Sequence, residues 1–172
     1  MYNESGVITT TLNRLRTITR PGFGTEVEVI IVDDCSTDGS ATTAADAIKT
    51  FPGARVLNLP VNGGKGAAVT AGVRDAKGDV ILVQDADLEL DPSDIPAMLH
   101  RMHNEELDLV SGTRFRKHKT PPGHAAAAVM MNRFVSATAR LITGRKITDL
   151  TCGYKLIRKD LFESLDLREQ RF

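Results

Sequence analysis

A chain of 172 residues with 41% hydrophobic and 5% aromatic residues has the length for one domain with a single sizeable core, and this balance excludes a disordered chain and argues against a β-sandwich. Its 22 basic residues are matched by 22 acidic ones, so no global charge points to nucleic acid, and partners must be read from where the charge lies. That distribution is uneven: positions 109–148 contain no Asp or Glu but hold Arg114, Arg116, Lys117, Lys119, Arg133, Arg140, Arg145 and Lys146, with His118 and His124.

From the N-terminus, Val27, Val29, Ile30, Ile31 and Val32 form a β-branched run closed by Asp33-Asp34, the pattern of a buried parallel strand ending in a polar loop. Asp38-Gly39-Ser40 supplies capping chemistry for a helix in which Ala41, Ala44, Ala45, Ile48 and Phe51 recur at helical spacing, and Pro52-Gly53 ends it. A second strand is expected over 55–59, a glycine-rich loop over 62–66 and a small-residue helix over 67–76, closed by Gly78. The third strand, over 80–83, is apolar throughout and is expected to be buried on both faces. Ser93 is expected to cap a helix over 94–103, followed by a fourth strand over 107–110 and a long helix over 125–143 with Gly144 just beyond. In that helix Ala127, Met131, Phe134, Thr138 and Leu141 form a stripe that reads as core packing, with Arg133 and Arg140 off the line. The alternative is a basic amphipathic helix on an anionic membrane surface or near a lipid phosphate. A polar turn over 149–155 leads to a strand at Leu156-Ile157. Strands and helices alternate, which predicts an α/β fold with right-handed crossovers, a mostly parallel sheet with helices on both faces, and ligands beyond the carboxyl ends of the strands.

Asp85 and Asp87 follow the third strand two residues apart, so both side chains project to one side with α-carbons about 6 to 7 Å apart. Two carboxylates about 6 Å apart repel by about 3 kcal/mol at an effective dielectric of about 20, a cost that a bound cation removes. Oxygen ligands favour Mg²⁺ or Mn²⁺ over zinc, and Glu89, two residues on, is a third ligand or a group behind the first two. The competing reading is a polar turn and helix cap. Asp33-Asp34 places a second acidic cluster at the same sheet edge, suited to a base N–H or ribose hydroxyls, or else to a cap extended backwards. Asn62-Gly63-Gly64-Lys65-Gly66 lacks the early glycine and the Ser or Thr of an ATPase phosphate loop; it remains a loop whose backbone approaches a ligand closely and whose lysine meets an anion, or a tight turn before a helix. After the fourth strand, Ser111-Gly112-Thr113-Arg114-Phe115 sets a guanidinium where it can pair with a diphosphate, and Arg116, Lys117, Lys119 and Pro121-Pro122-Gly123 read as a basic loop.

These segments, with Tyr2-Asn3-Glu4, Val32-Asp33-Asp34-Cys35-Ser36-Thr37-Asp38-Gly39, Gln84-Asp85-Ala86-Asp87-Leu88-Glu89 and Asp149-Leu150-Thr151-Cys152-Gly153-Tyr154-Lys155, resemble family 2 glycosyltransferases in order and spacing. The likeness covers essentially the whole chain. It is nearest to the branch of dolichyl-phosphate mannosyl- and glucosyltransferases and their bacterial polyprenyl-phosphate relatives. The resemblance implies a GT-A fold and an inverting, metal-dependent transfer of a hexose from a nucleoside-diphosphate sugar of the GDP-mannose or UDP-glucose type to an acceptor such as a polyprenyl phosphate. It assigns Asp85, Asp87 and Glu89 to a Mg²⁺ or Mn²⁺ ion, and Tyr2, Glu4, Asp33, Asp34, Lys65, Asp85, Ala86 and Asp87 to the nucleotide sugar. Arg114, with Arg133, meets the diphosphate or the acceptor phosphate, and Asp149 orients the acceptor; Asp87, Arg114 and Asp149 form the catalytic group.

In the family the Tyr-Asn-Glu segment follows a central strand, and relatives continue past Arg171-Phe172, so the chain is expected to be a piece of a longer protein lacking its first strand. Two other functions remain open: a non-catalytic nucleotide-sugar-binding fragment, and a sugar nucleotidyltransferase. Cys35 and Cys152 fit no metal or redox spacing, which predicts a reduced intracellular setting with neither thiol a nucleophile. Without a run of about 18 apolar residues or a signal-like start, the chain is expected to be cytoplasmic, soluble or peripheral on the membrane's cytoplasmic face.

Overall fold

The computed structural model describes residues 1–18, 26–88, 90–115 and 126–165. Glu89, the basic loop with Arg116, Lys117 and Lys119, and Arg171-Phe172 lie outside the described residues.

Helix α1 (Ile8–Leu15) follows directly from spacing: Ile8, Thr11, Leu12 and Leu15 recur at three and four residues and are buried. Its first turn hangs on Glu4, whose carbonyl accepts the Val7 and Ile8 N–H groups at 3.1 and 3.0 Å. Strand β1 (Val29–Asp33) then pairs in parallel with β2 (Ala54–Asn58), Val29 opposite Ala54 and Asp33 opposite Asn58, with α2 (Ser40–Ile48) as the crossover. Helix α3 (Lys65–Asp75) begins two residues earlier than the sequence pattern indicates, so Lys65 opens the helix rather than sitting inside the loop.

Strand β3 (Val80–Leu82) belongs to a second sheet of order β3-β5-β4, in which β5 (Lys155–Arg158) runs antiparallel to both β3 and β4 (Leu109–Ser111). Between them lie a 3-10 turn over Pro92–Asp94, α4 (Ile95–Asn104) and α5 (Ala126–Thr143); α6 (Lys159–Ser164) follows β5. The cap of the turn that opens α4 is Asp91, whose carboxylate accepts the Ser93 N–H at 3.0 Å, and not Ser93 itself. The core packs α1 against α2 and the 3-10 turn ahead of α4, with Leu12, Phe51, Met98, Met102 and Leu156 in one cluster. Leu12 is 1% exposed, a burial that contributes about 2 kcal/mol.

Among the described residues β1 and β3 share no ladder. Their facing edges wall a cavity of about 1380 Å³, lined along its length by Ile30, Val32, Val80 and Leu82. For this reason β3 is only half-buried at every position, where the apolar run predicted full burial. Met1 occupies the mouth of the slot: its amino nitrogen donates to the Val32 carbonyl at 2.8 Å and its carbonyl accepts the Asp34 N–H at 2.9 Å, a parallel bridge to the end of β1.

Candidate active site

The carboxyl ends of β1 and β3 meet through a chain of short contacts. Asp34 is 3% exposed, and its two carboxylate oxygens accept the Gly63 and Gly64 N–H groups, each at 2.8 Å, while its carbonyl accepts Asn62 Nδ2 at 3.1 Å. The loop can close this tightly because Gly64 adopts φ +86°, a positive φ open to glycine, and because a Cβ on Gly63 would stand 2.7 Å from the Ala67 Cβ. Pinned in this way, the loop delivers Lys65, whose Nζ lies 2.6 Å from Asp85 Oδ1. Half-exposed, that ion pair contributes at most about 1 kcal/mol, so its value is in placement.

Asp33 is also 3% exposed; its Oδ2 accepts the Ser36 N–H at 3.0 Å, and its buried Oδ1 has no hydrogen-bond partner among the described residues. A buried carboxylate oxygen without a partner is costly unless a ligand donates to it. The Tyr2–Ser5 arm is stapled over this loop: Asn3 N–H donates to Ser36 Oγ at 3.0 Å, Thr37 N–H to Asn3 Oδ1 at 2.9 Å, Glu4 N–H to Ser40 Oγ at 2.7 Å and Ser5 N–H to Asp38 Oδ2 at 3.1 Å. Ser40, in turn, donates its N–H and its hydroxyl to Asp38, and these bonds hold the Asp38 carboxyl well below the usual carboxylate range. Asp38-Gly39-Ser40, expected as capping chemistry, also anchors the arm together with Ser36 and Thr37; the density of Ser, Thr and Asp is the sequence signal for this.

Folding thus brings Tyr2, Glu4, Asp34, Lys65, Asp85 and Asp87 to one cavity, with Ala86 on its wall, its carbonyl accepting Thr11 Oγ1 at 2.6 Å. Asp33, Arg114, Asp149 and Arg133 lie outside that cavity's lining. Arg114 and Asp149 form a second cluster beside it. The Asp149 carboxylate is 1% exposed and accepts from Arg114 backbone N, Nε and Nη2 at 3.0 Å each, from Asn132 Nδ2 at 2.7 Å and from Thr151 Oγ1 at 3.4 Å. Burial alone would push this carboxyl up; the Arg114 hydrogen bonds, then Asn132, outweigh it and hold Asp149 below its ordinary value. Both of its oxygens are occupied within the protein, so Asp149 positions Arg114. The spacing gave no sign of Asn132, which reaches Asp149 from α5.

The turn that carries Asp149 also joins the two clusters. A Cβ on Gly153 would stand 2.7 Å from Asp85 Oδ2, so the glycine lets the turn press against the Asp85 carboxylate. Cys152, in the same turn, is buried, and burial pushes its thiol up, as suits an inert packing residue; Cys35 is exposed. Arg133 is exposed on the outer flank of α5.

Among the described residues no three of His, Cys, Asp and Glu gather as a metal cage. Two acidic side chains on one short segment, Asp85 and Asp87, fit instead the chemistry of Mg²⁺ or Mn²⁺, which bind through one or two carboxylates and complete their shell with water and phosphate oxygens.

An α/β sheet with a pinned glycine loop, a lysine and acidic side chains beyond its strand ends is the architecture of a nucleotide-binding α/β fold. Residues 1–166 match glycosyl transferase family 2, and the chain belongs to that family. It is 31% identical to an undecaprenyl-phosphate mannosyltransferase of Micrococcus luteus over 96% of this chain and 67% of that protein. It is 32% identical to a dodecaprenyl-phosphate galacturonate synthase of Rhizobium johnstonii over 81% of this chain, but over only 40% of that one. Among solved structures, the glucosyl-3-phosphoglycerate synthase of Mycobacterium tuberculosis in complex with Mn²⁺ and UDP-glucose superposes with a TM-score of 0.71 at 22% identity, covering 96% of this chain and 56% of that chain, which establishes the GT-A fold. The chain spans between 40% and 67% of the length of these curated relatives.

Proposed function

We propose that this chain is the donor-binding and catalytic part of an enzyme that transfers a hexose, with inversion, from a nucleoside-diphosphate sugar to a polyprenyl phosphate. The observation that carries the reading is the Lys65–Asp85 contact at the head of a cavity also lined by Tyr2, Glu4, Asp34 and Asp87. Relatives at 31% and 32% identity are named for polyprenyl-phosphate acceptors, which supports the same acceptor class here.

In this reading Tyr2 and Glu4, held by the stapled arm, close over base and ribose, and Asp33 shapes the loop beneath them through the Ser36 N–H. Asp85 and Asp87 hold the divalent ion, which when bound supplies positive charge to the diphosphate. Lys65 leaves Asp85 for a phosphate oxygen, and Arg114, fixed by Asp149, presents its guanidinium to the departing diphosphate or the acceptor phosphate. A lipid phosphate oxygen is already ionised near neutral pH, so no protein base is required. The engagement of both Asp149 oxygens by other side chains agrees with that.

Calorimetric titration with GDP and with UDP, in Mn²⁺ and then in EDTA, tests the proposal. One nucleotide is expected to bind about tenfold or more tightly with the metal, a gain of at least about 1.4 kcal/mol that Asp85→Ala removes. Equal binding in EDTA, or no binding of either nucleotide by folded protein, overturns the donor site.

A further inference from the structure

Lys155 closes the polar turn over 149–155 and opens β5, where three segments of the candidate site meet. Its carbonyl accepts the Val83 N–H at 3.5 Å, two residues before Asp85, and in the β4–β5 ladder it lies opposite Ser111, three residues before Arg114. Its side chain folds back over the turn: Nζ donates to the Leu150 carbonyl at 3.3 Å and to the Cys152 carbonyl. Those carbonyls alternate with the residues that touch the site. Asp149 holds Arg114, Thr151 Oγ1 accepts Arg114 Nη2 at 2.8 Å, and Gly153 presses against Asp85.

The start of this turn is fixed from α5. The spacing placed Ala127, Met131, Phe134, Thr138 and Leu141 in the core, yet all five are exposed, and the buried side chains are Val129, Asn132 and Ser136. Asn132 donates to Asp149 at 2.7 Å, and Ser136 donates to Asn132 Oδ1 at 3.3 Å and accepts the Leu150 N–H at 3.0 Å. Beyond Leu150 the hold is weaker, because the main-chain bond that closes the turn, from the Cys152 N–H to the Asp149 carbonyl, is long at 3.4 Å. The Lys155 ammonium is the clamp on that half.

Stability alone does not account for this cation. Burial pushes Lys155 below the ordinary lysine value, and repulsion from Lys65 and Arg114 adds to the fall, together outweighing the pull of Cys152 and Asp149. A pKa lower in the folded chain than in the unfolded one means that the charged form disfavours folding near neutral pH. Among the described residues its acceptors are two main-chain carbonyls and no carboxylate. A half-buried cation kept at such a cost, on the turn that joins two clusters of site residues, points to a role in the site.

We propose that Lys155 is a positioning residue: its ammonium, clamped on the Leu150 and Cys152 carbonyls, holds the turn that places both the Arg114 guanidinium and the Asp85 carboxylate. The proposal rests on the reading of this site as the place where a nucleoside diphosphate binds with a divalent ion, but the hold on the turn is measured without either.

The test compares Lys155→Met, which keeps the stem and removes the ammonium, with Lys155→Arg, which restores charge and donors. With no nucleotide present, Lys155→Met is expected to speed amide exchange at Arg114 and Cys152 by about tenfold or more and to shift the Arg114 Nε–H resonance. The Leu156 and Ile157 amides are expected to exchange as in the parent, and the thermal midpoint to match or exceed the parent's. Whichever of GDP and UDP the parent binds is expected to bind Lys155→Met about tenfold more weakly in Mn²⁺ and equally in EDTA. Lys155→Arg is expected to recover both exchange and affinity. Unchanged exchange at Arg114 and Cys152 overturns the proposal, as does an unchanged affinity in Mn²⁺ when the parent binds nucleotide. A lowered midpoint with faster exchange throughout β5 makes Lys155 a residue of the fold and overturns it too. If Arg114 and Cys152 exchange faster but the parent binds neither nucleotide, the hold on the turn stands and the donor-site reading falls.

Discussion

Asp149 shows how far one residue's environment decides its role. A carboxylate with five donors around it, 1% exposed, stabilises the fold only while it is ionised. Asp149→Asn leaves the Arg114 guanidinium facing an amide, and the loss of one partner of a buried pair is expected to cost about 3 kcal/mol in urea unfolding. The pH dependence has a definite sign. The folded carboxyl lies below its ordinary value of about 3.9, so its contribution is complete above that pH and is lost as pH falls through the lower folded value. The stability gap between parent and variant is therefore expected to be constant near neutrality and to close on acidification. A gap that stays constant to low pH would show that Asp149 acts through packing alone.

At the scale of elements, the N-terminal arm depends on α2. The Ser40 hydroxyl is fully buried, accepts the Glu4 N–H and donates to Asp38, so one side chain ties the arm, the loop after β1 and the first turn of the helix together. Ser40→Ala leaves the Glu4 N–H without its acceptor and is expected to cost about 1 to 3 kcal/mol. Amide hydrogen exchange at Asn3, Glu4 and Ser5 is expected to speed up with it. Unchanged exchange there would mean that the bonds of Asn3 to Ser36 and Thr37 hold the arm by themselves. The same scale explains α5: its orientation is fixed by two polar side chains reaching a neighbouring turn, and its apolar residues follow passively.

Across the whole molecule, the dominant feature is the slot between the two sheets. Among the described residues the facing edges of β1 and β3 border one cavity without a ladder between them, a geometry in which an added strand is expected to pair. Met1 already makes the terminal parallel bridge, which sets the direction and register of any residues ahead of it. Four or five β-branched residues placed before Met1 are expected to raise the thermal midpoint by about 5 °C, equivalent to about 2 kcal/mol, and to protect the amides of β1 and β3 from exchange. An extension that leaves those amides unprotected would refute a strand site.

The strand and helix order was legible from sequence wherever apolar periodicity was strong, as in β1, α2 and α3, because burial of one face is written locally. That Asp34, Lys65, Asp85 and Asp87 gather at one cavity was legible because the strand ends of an open α/β sheet share one edge. Helix α1 is also written there, in the three- and four-residue spacing of Ile8, Leu12 and Leu15. What only tertiary structure decided were relations between distant residues: Asp34 pinning Gly63 and Gly64, Asn132 and Arg114 converging on Asp149, and Gly153 opening room for the Asp85 carboxylate. The outward face of α5 belongs with these, since a periodic stripe shows that a helix has two faces but not which one the protein keeps; that choice was made by a hydrogen-bond network whose partners lie outside the helix.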